Sequence, residues 1–153
     1  VEGEVIFRSV YERVCVEQTR PVPTLDATLV ALRARGFRMS VASNKPVAYS
    51  IRILERLGVL PMFDTIEGPE TAGALKPDPP MIRACLVAMN VRADEARYVG
   101  DMTIDADAGE RAGVGVVLIC GGSSSPERLR DTGHPVLNTL QELLDLLPLN
   151  AAG

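Results

Sequence analysis

Tryptophan is absent, histidine occurs once, and aromatic side chains make up only 4% of the 153 residues. So few rings offer no stacking platform for bases, and the 16 lysines and arginines are scattered rather than gathered into a basic stripe. The formal charge is −4, so nucleic acid is not an expected partner. Cysteine is equally sparse. Cys15, Cys85 and Cys120 form no Cys-x-x-Cys pair and are odd in number, so neither a zinc knuckle nor a disulfide framework is expected. Cys85 and Cys120 fall at apolar positions and read as small buried hydrophobes in a reducing compartment. No apolar run reaches the roughly 20 residues of a bilayer span. The acidic start, Val1-Glu2-Gly3-Glu4, has no basic region followed by an apolar stretch. Neither a membrane partner nor a secretion signal is therefore expected, and the expected location is the cytoplasm. What remains, 46% apolar and 24% charged, suits one globular domain with a buried core.

Residues 4–18 read as a helix, broken by Arg20-Pro21-Val22-Pro23. A second helix begins at Thr24, with Leu25, Leu29 and Leu32 at i, i+4 and i+7 and Gly36 as its C-terminal cap. A strand over 38–42 ends in Ser43-Asn44-Lys45. Pro46 then opens a helix whose apolar stripe is Val47, Ile51, Leu54 and Leu57. A small strand at 65–67 leads through a Gly-, Pro- and Thr-rich loop to Leu75-Lys76-Pro77-Asp78-Pro79. A helix carrying Ile82, Cys85, Leu86 and Met89 follows. Strand 96–100, helix 103–112 capped by Gly113, and the apolar strand 114–120 complete the centre. Residues 121–125 read as a flexible loop and 136–138 as a last short strand. Thr139 with Glu142 forms a capping box for the terminal helix. This alternation specifies an α/β fold with a doubly wound parallel sheet, whose chemistry gathers at the carboxyl ends of the strands.

Three polar clusters lie at such ends. Gly100-Asp101-Met102-Thr103-Ile104-Asp105 brings two carboxylates to one rim, a pair that suits a hard cation such as Mg²⁺. By itself Asp105 is accounted for by the helix macrodipole, worth about 0.3–1 kcal/mol in a first turn. Asp107 faces another way. Ser43-Asn44-Lys45-Pro46 sets a hydroxyl beside a helix N-terminus, a workable phosphate cradle or simply an N-cap. Lys76, held between prolines, is either a surface lysine or a fixed charge aimed at a phosphoryl group. The three together, in the order hydroxyl, lysine, double aspartate, are far more specific than any one alone.

In that combination the chain resembles the haloacid-dehalogenase-like hydrolases, with Ser43 in their second motif, Lys76 in the third and Gly100-Asp101…Asp105 in the fourth. The agreement runs from about Pro23 to Leu147. Ser43-Asn44-Lys45-Pro46 with Lys76-Pro77-Asp78-Pro79 is most similar to the phosphoglycolate-phosphatase-like branch. The resemblance implies a Rossmann-like hydrolase core over residues 21–148, the last helix of a cap domain over 1–20 and a tail at 149–153. It implies a Mg²⁺-dependent phosphomonoester hydrolase acting on a small phosphorylated metabolite through a phosphoaspartate. Ser43 and Asn44 would bind the phosphate, Asn44 through its backbone or amide. Lys76 would be catalytic. Asp101 would ligate the metal directly, with Asp105 either joining it on the metal or supporting it from behind.

One part of the family pattern has no counterpart. No Asp-x-Asp, the nucleophile and its acid/base partner, precedes Ser43, and Asp26 lies in a helix. The nucleophile is therefore expected ahead of Val1, on a strand between 38–42 and 96–100. Those two segments should then show no direct backbone ladder, and Leu29 and Leu32 should look unusually exposed. The alternative is a non-catalytic module binding phosphate, metal or a protein partner. A nucleotide-binding Rossmann domain is disfavoured, because no Gly-x-Gly-x-x-Gly opens a helix after a strand. His134 is expected to be solvent-exposed.

Overall fold

A computed structural model describes residues 16–147. Residues 16–18 are helical; the rest of the expected 4–18 helix and the 149–153 tail lie outside the described residues. Helix α1 spans Leu25–Ala34 and buries Thr28, Leu29 and Leu32. Gly36 follows at φ 85, the left-handed turn that glycine accommodates without a Cβ clash. Leu29 and Leu32 are thus not exposed as expected, because α1 packs against the C-terminal helical segment. Strand β1, Ser40–Ala42, is shorter than the 38–42 expected. Helix α2, Val47–Arg56, has Pro46 at its N-cap rather than inside it. Its buried residues are Ser50 and Ile53, not the half-buried stripe of Val47, Ile51, Leu54 and Leu57.

Strand β2, Thr65–Glu67, lies where it was expected. The segment read as loop after it contains a short helix α3, Pro69–Ala72, steadied by the Gly68 amide donating to Thr71 Oγ1 at 3.0 Å. Helix α4, Pro80–Met89, buries Met81, Ile82, Cys85 and Met89. Strand β3 is Arg97–Gly100, helix α5 is Thr103–Ala112, and strand β4 is Gly115–Ile119. Helix α6, Pro126–Arg130, follows the expected 121–125 loop in a stretch to which sequence assigned no element, with Ser125 Oγ accepting from the Arg128 amide. Strand β5, Val136–Leu137, leads to a 3-10 turn at Leu140–Glu142 and helix α7, Leu143–Leu146. Thr139 and Glu142 form the expected capping box, with the Thr139 amide donating to Glu142 Oε1 at 3.0 Å.

All the pairings are parallel. β1 pairs with β2, and β3, β4 and β5 follow in that order. Among the described residues no ladder joins β1 to β3, so the sheet is two sheets with an unpaired edge on each side of the division. The absence of a ladder between 38–42 and 96–100 matches the expectation. α4 spans the division: it packs on β1 and β2, and its Ile82 joins Ala108, Ala112 and Val114 in one core cluster. Ala42 of β1 and Tyr98 of β3 both pack against that cluster. A second cluster, Ala106, Val116, Leu118 and Leu129, fills the space between α5, β4 and α6. No helix among the described residues is long and apolar enough to cross a membrane.

Candidate active site

The Gly-Asp-x-x-x-Asp sequence closes a knot at the end of β3. Asp105, in the first turn of α5, folds back so that its Oδ2 accepts from the amides of Asp101 and Met102, each at 3.0 Å. That return is possible only because residue 100 is glycine. An added Cβ there would stand 2.3 Å from Asp105 Cβ and 2.5 Å from its Oδ2. The other oxygen, Oδ1, accepts from Lys76 Nζ at 2.7 Å. Both partners of this ion pair are nearly inaccessible, with Lys76 13% and Asp105 4% exposed at the side chain. A pair so placed is insulated from the screening that makes surface pairs weak.

Tyr98, two residues before Gly100 on β3, completes the network. Lys76 Nζ donates to its hydroxyl at 2.9 Å, and that hydroxyl donates to the Ala42 carbonyl at 3.0 Å. Burial pushes the Tyr98 hydroxyl far above its ordinary range, and the nearby Asp105 charge adds to the effect. It stays neutral and holds its proton for Ala42. The Lys76 ammonium also lies 5.5 Å from the Tyr98 ring centroid.

Asp101 is differently placed. Among the described residues its carboxylate has no hydrogen-bond or ion-pair partner, and it rests against the backbone of Gly122 in the loop after β4. A Cβ on Gly122 would fall 1.7 Å from Asp101 Oδ2. The same loop supplies buried Ser124, whose Oγ accepts from the Thr103 amide at 3.3 Å at the head of α5.

At the end of β1, Ser43 donates its amide to the Glu67 carbonyl, and its Oγ accepts from the Lys45 amide at 3.1 Å. The Ser43 hydroxyl proton has no protein acceptor among the described residues. The Asn44 side chain turns toward Lys76 instead: its Oδ1 accepts from the Lys76 amide at 2.7 Å, and its Nδ2 donates to the Lys76 carbonyl at 3.3 Å. The first amide of α2, on Val47, donates to Glu70 Oε1 at 2.6 Å. A carboxylate of the protein therefore sits where sequence placed part of an anion cradle. Gly68 permits the approach, since a Cβ there would meet Val47, Glu70 and Lys45 at 2.9–3.0 Å.

The structure thus joins Lys76, Asp105, the Asp101 backbone and Asn44 in one bonded network, with Ser43 adjacent to Asn44 in the chain. Tyr98, Glu70 and Gly122 were not singled out from sequence. Only Tyr98 left a signal there, as a ring with a polar end on a strand leading into Gly100-Asp101. Asp107, read from sequence as facing another way, is exposed. His134 is not solvent-exposed as expected: it is half-buried, with Nε2 2.7 Å from Glu110 Oε1. It precedes β5, and Glu110 lies late in α5, so the pair occupies the opposite end of the strands from Asp101. Among the described residues no three His, Cys, Asp or Glu side chains converge as a ready metal cage.

Comparison with known proteins agrees with this fold. Residues 3–119 match the family described as haloacid dehalogenase-like hydrolase. A phosphoglycolate phosphatase of Cereibacter sphaeroides is 36% identical over 141 residues, covering 92% of this chain and 64% of that protein. One of Aquifex aeolicus is 37% identical over 113 residues, covering 74% and 53%. The chain thus spans between half and two thirds of these relatives' lengths. The crystal structure of a predicted phosphoglycolate phosphatase from Haemophilus somnus superposes with a TM-score of 0.85 at 23% identity, over 92% of this chain and 63% of that one. At that identity the likeness speaks for the fold alone.

Proposed function

The chain belongs to the haloacid dehalogenase-like hydrolases, and from that premise we propose that the intact protein is a phosphatase of the phosphoglycolate phosphatase type, acting on small phosphomonoesters. The observation that carries this reading is the nearly inaccessible Lys76 side chain, fixed by Tyr98 and by Asp105, which also holds the Asp101 backbone. A cation held in a water-poor site and aimed at a developing phosphoryl charge is worth far more than one in water. Ser43, with a hydroxyl proton to give, would bind a phosphate oxygen, and the Asn44 backbone amide beside it a second.

The donor set fits Mg²⁺, which takes one or two carboxylates and completes its shell with waters and phosphate. Asp101 would hold it. Asp105, whose oxygens already carry hydrogen bonds, would support it from behind by fixing the Asp101 backbone. Bound there, the ion would neutralise phosphate charge.

In the reaction a carboxylate oxygen attacks phosphorus, the ester P–O bond breaks, and the departing alkoxide takes a proton. Water then cleaves the phosphoaspartate to inorganic phosphate. We place the attacking aspartate on a further strand seated between β1 and β3. Support comes from the edge that each sheet leaves unpaired there among the described residues and from the absence of an Asp-x-Asp ahead of Ser43.

The test is hydrolysis of phosphoglycolate and p-nitrophenyl phosphate by the intact natural protein. Turnover should require Mg²⁺ and should fall by about a hundredfold or more in Lys76→Met, which keeps the stem and removes one charged contact. Undiminished activity in excess EDTA would remove the metal from the reading. An intact protein that binds phosphate without turning over esters would be a non-catalytic module.

A further inference from the structure

The asparagine that follows Ser43 has the sequence position of a phosphate ligand, but its side chain is already committed. Lys76 presents one backbone donor and one backbone acceptor, and the Asn44 amide meets both, at 2.7 and 3.3 Å. This pairing fixes which way the amide points: the oxygen must face the N–H and the nitrogen must face the C=O. Between Gly73 and Pro79 the loop is also held by Asp78, whose amide donates to the Leu75 carbonyl and whose carboxylate pairs with Arg111. Neither reaches Lys76. The Lys76 side chain is fixed at its far end by Asp105 and Tyr98. The near end, the backbone from which that side chain springs, is fixed by Asn44.

We propose that Asn44 is a positioning residue, which sets the Lys76 ammonium by holding the Lys76 peptide in a two-point clamp and leaves phosphate contact to Ser43 and to its own backbone. The inference deepens the phosphatase reading and rests on it for its kinetic consequence, though not for the clamp itself. The clamp also ties the loop after β1 to the loop before α4. The lysine and the serine are therefore set relative to each other by one side chain.

Two measurements on Asn44→Ala separate this role from that of a ligand. The first is amide hydrogen exchange, read at Lys76 by NMR. In the wild-type protein that amide should exchange slowly although its loop is at the surface. In the variant it should exchange roughly fivefold faster or more, the loss expected of one hydrogen bond. The second is steady-state kinetics with phosphoglycolate. A misplaced lysine should lower kcat by about tenfold to a hundredfold while KM moves less than about threefold. Asn44 is exposed, so the variant should fold; if it does not, Asn44→Ser offers Lys76 a single partner and should give intermediate values. Unchanged exchange at Lys76 overturns the clamp. A KM that rises with kcat unchanged assigns the side chain to the phosphate and overturns the proposal. If the wild-type protein hydrolyses no phosphomonoester, the phosphatase reading fails, and exchange at Lys76 still decides the clamp.

Discussion

At Gly100 a hydrogen stands where any other residue would place a carbon into the Asp105 carboxylate. Gly100→Ala should therefore cost roughly 1–3 kcal/mol, the range for overpacking a filled site, measured by urea unfolding. A variant as stable as wild type would mean that Asp105 can stand elsewhere at no cost. Tyr98 yields a prediction in pH. Its hydroxyl titrates higher folded than unfolded, so the unfolded chain gives up the proton first. The stability this contributes is complete below the unfolded value near 10 and drains away as pH rises above it. Urea midpoints should fall from about pH 9 to about pH 11, and Tyr98→Phe should flatten that limb while lowering stability at neutral pH. Equal slopes in the two proteins would show that Tyr98 already titrates normally. Lys76 looks from sequence like a solvent-facing lysine in a proline-rich loop. Its burial against Asp105 comes from a partner 29 residues away, which no local pattern reveals. Removing its charge should consequently cost stability as well as turnover.

Among the elements, α2 shows where periodicity misleads. Hydrophobicity marks a stripe through Val47, Ile51, Leu54 and Leu57, but the buried line runs through Ser50 and Ile53. Ser50 is only 4% exposed. A small residue there lets the helix lie close to its neighbours, and a scale that scores serine as polar steps over it. Ile53→Ala should cost about 2–5 kcal/mol and Ile51→Ala less than half as much, compared by chemical denaturation. Equal losses would restore the sequence-derived stripe. α5 was legible end to end, because its cap at Gly113 and its acidic first turn are local signals. Helices α3 and α6 were not, since Pro69 and Pro126 sit in stretches of turn-forming residues and their order comes from caps, Thr71 and Ser125. The three polar clusters were legible as types and spacings. The assignment of partners was not: whether Asn44 meets phosphate or lysine depends on how two loops approach in space.

Across the whole molecule, the sheet divides between β1 and β3, and the two parts carry different burial. β4 has three buried residues, whereas those of β1 and β2 are all only partly buried. Native-state hydrogen exchange should accordingly find the slowest amides in Val116–Leu118, with those of Val41 and Ile66 opening at lower free energy. A single exchange free energy across both sheets would contradict this. Ser43 and Asn44 belong to one part and Asp101 and Asp105 to the other, with Lys76 bonded to both. An anion that engages Ser43 and the cation proposed for Asp101 together would bind the assembled arrangement and not the parted one. At about a hundred times its dissociation constant it would add about 2.7 kcal/mol to the joining of the halves. Substrate would then be a structural element of its own enzyme, and the protein's cooperativity of unfolding would become a reporter of occupancy.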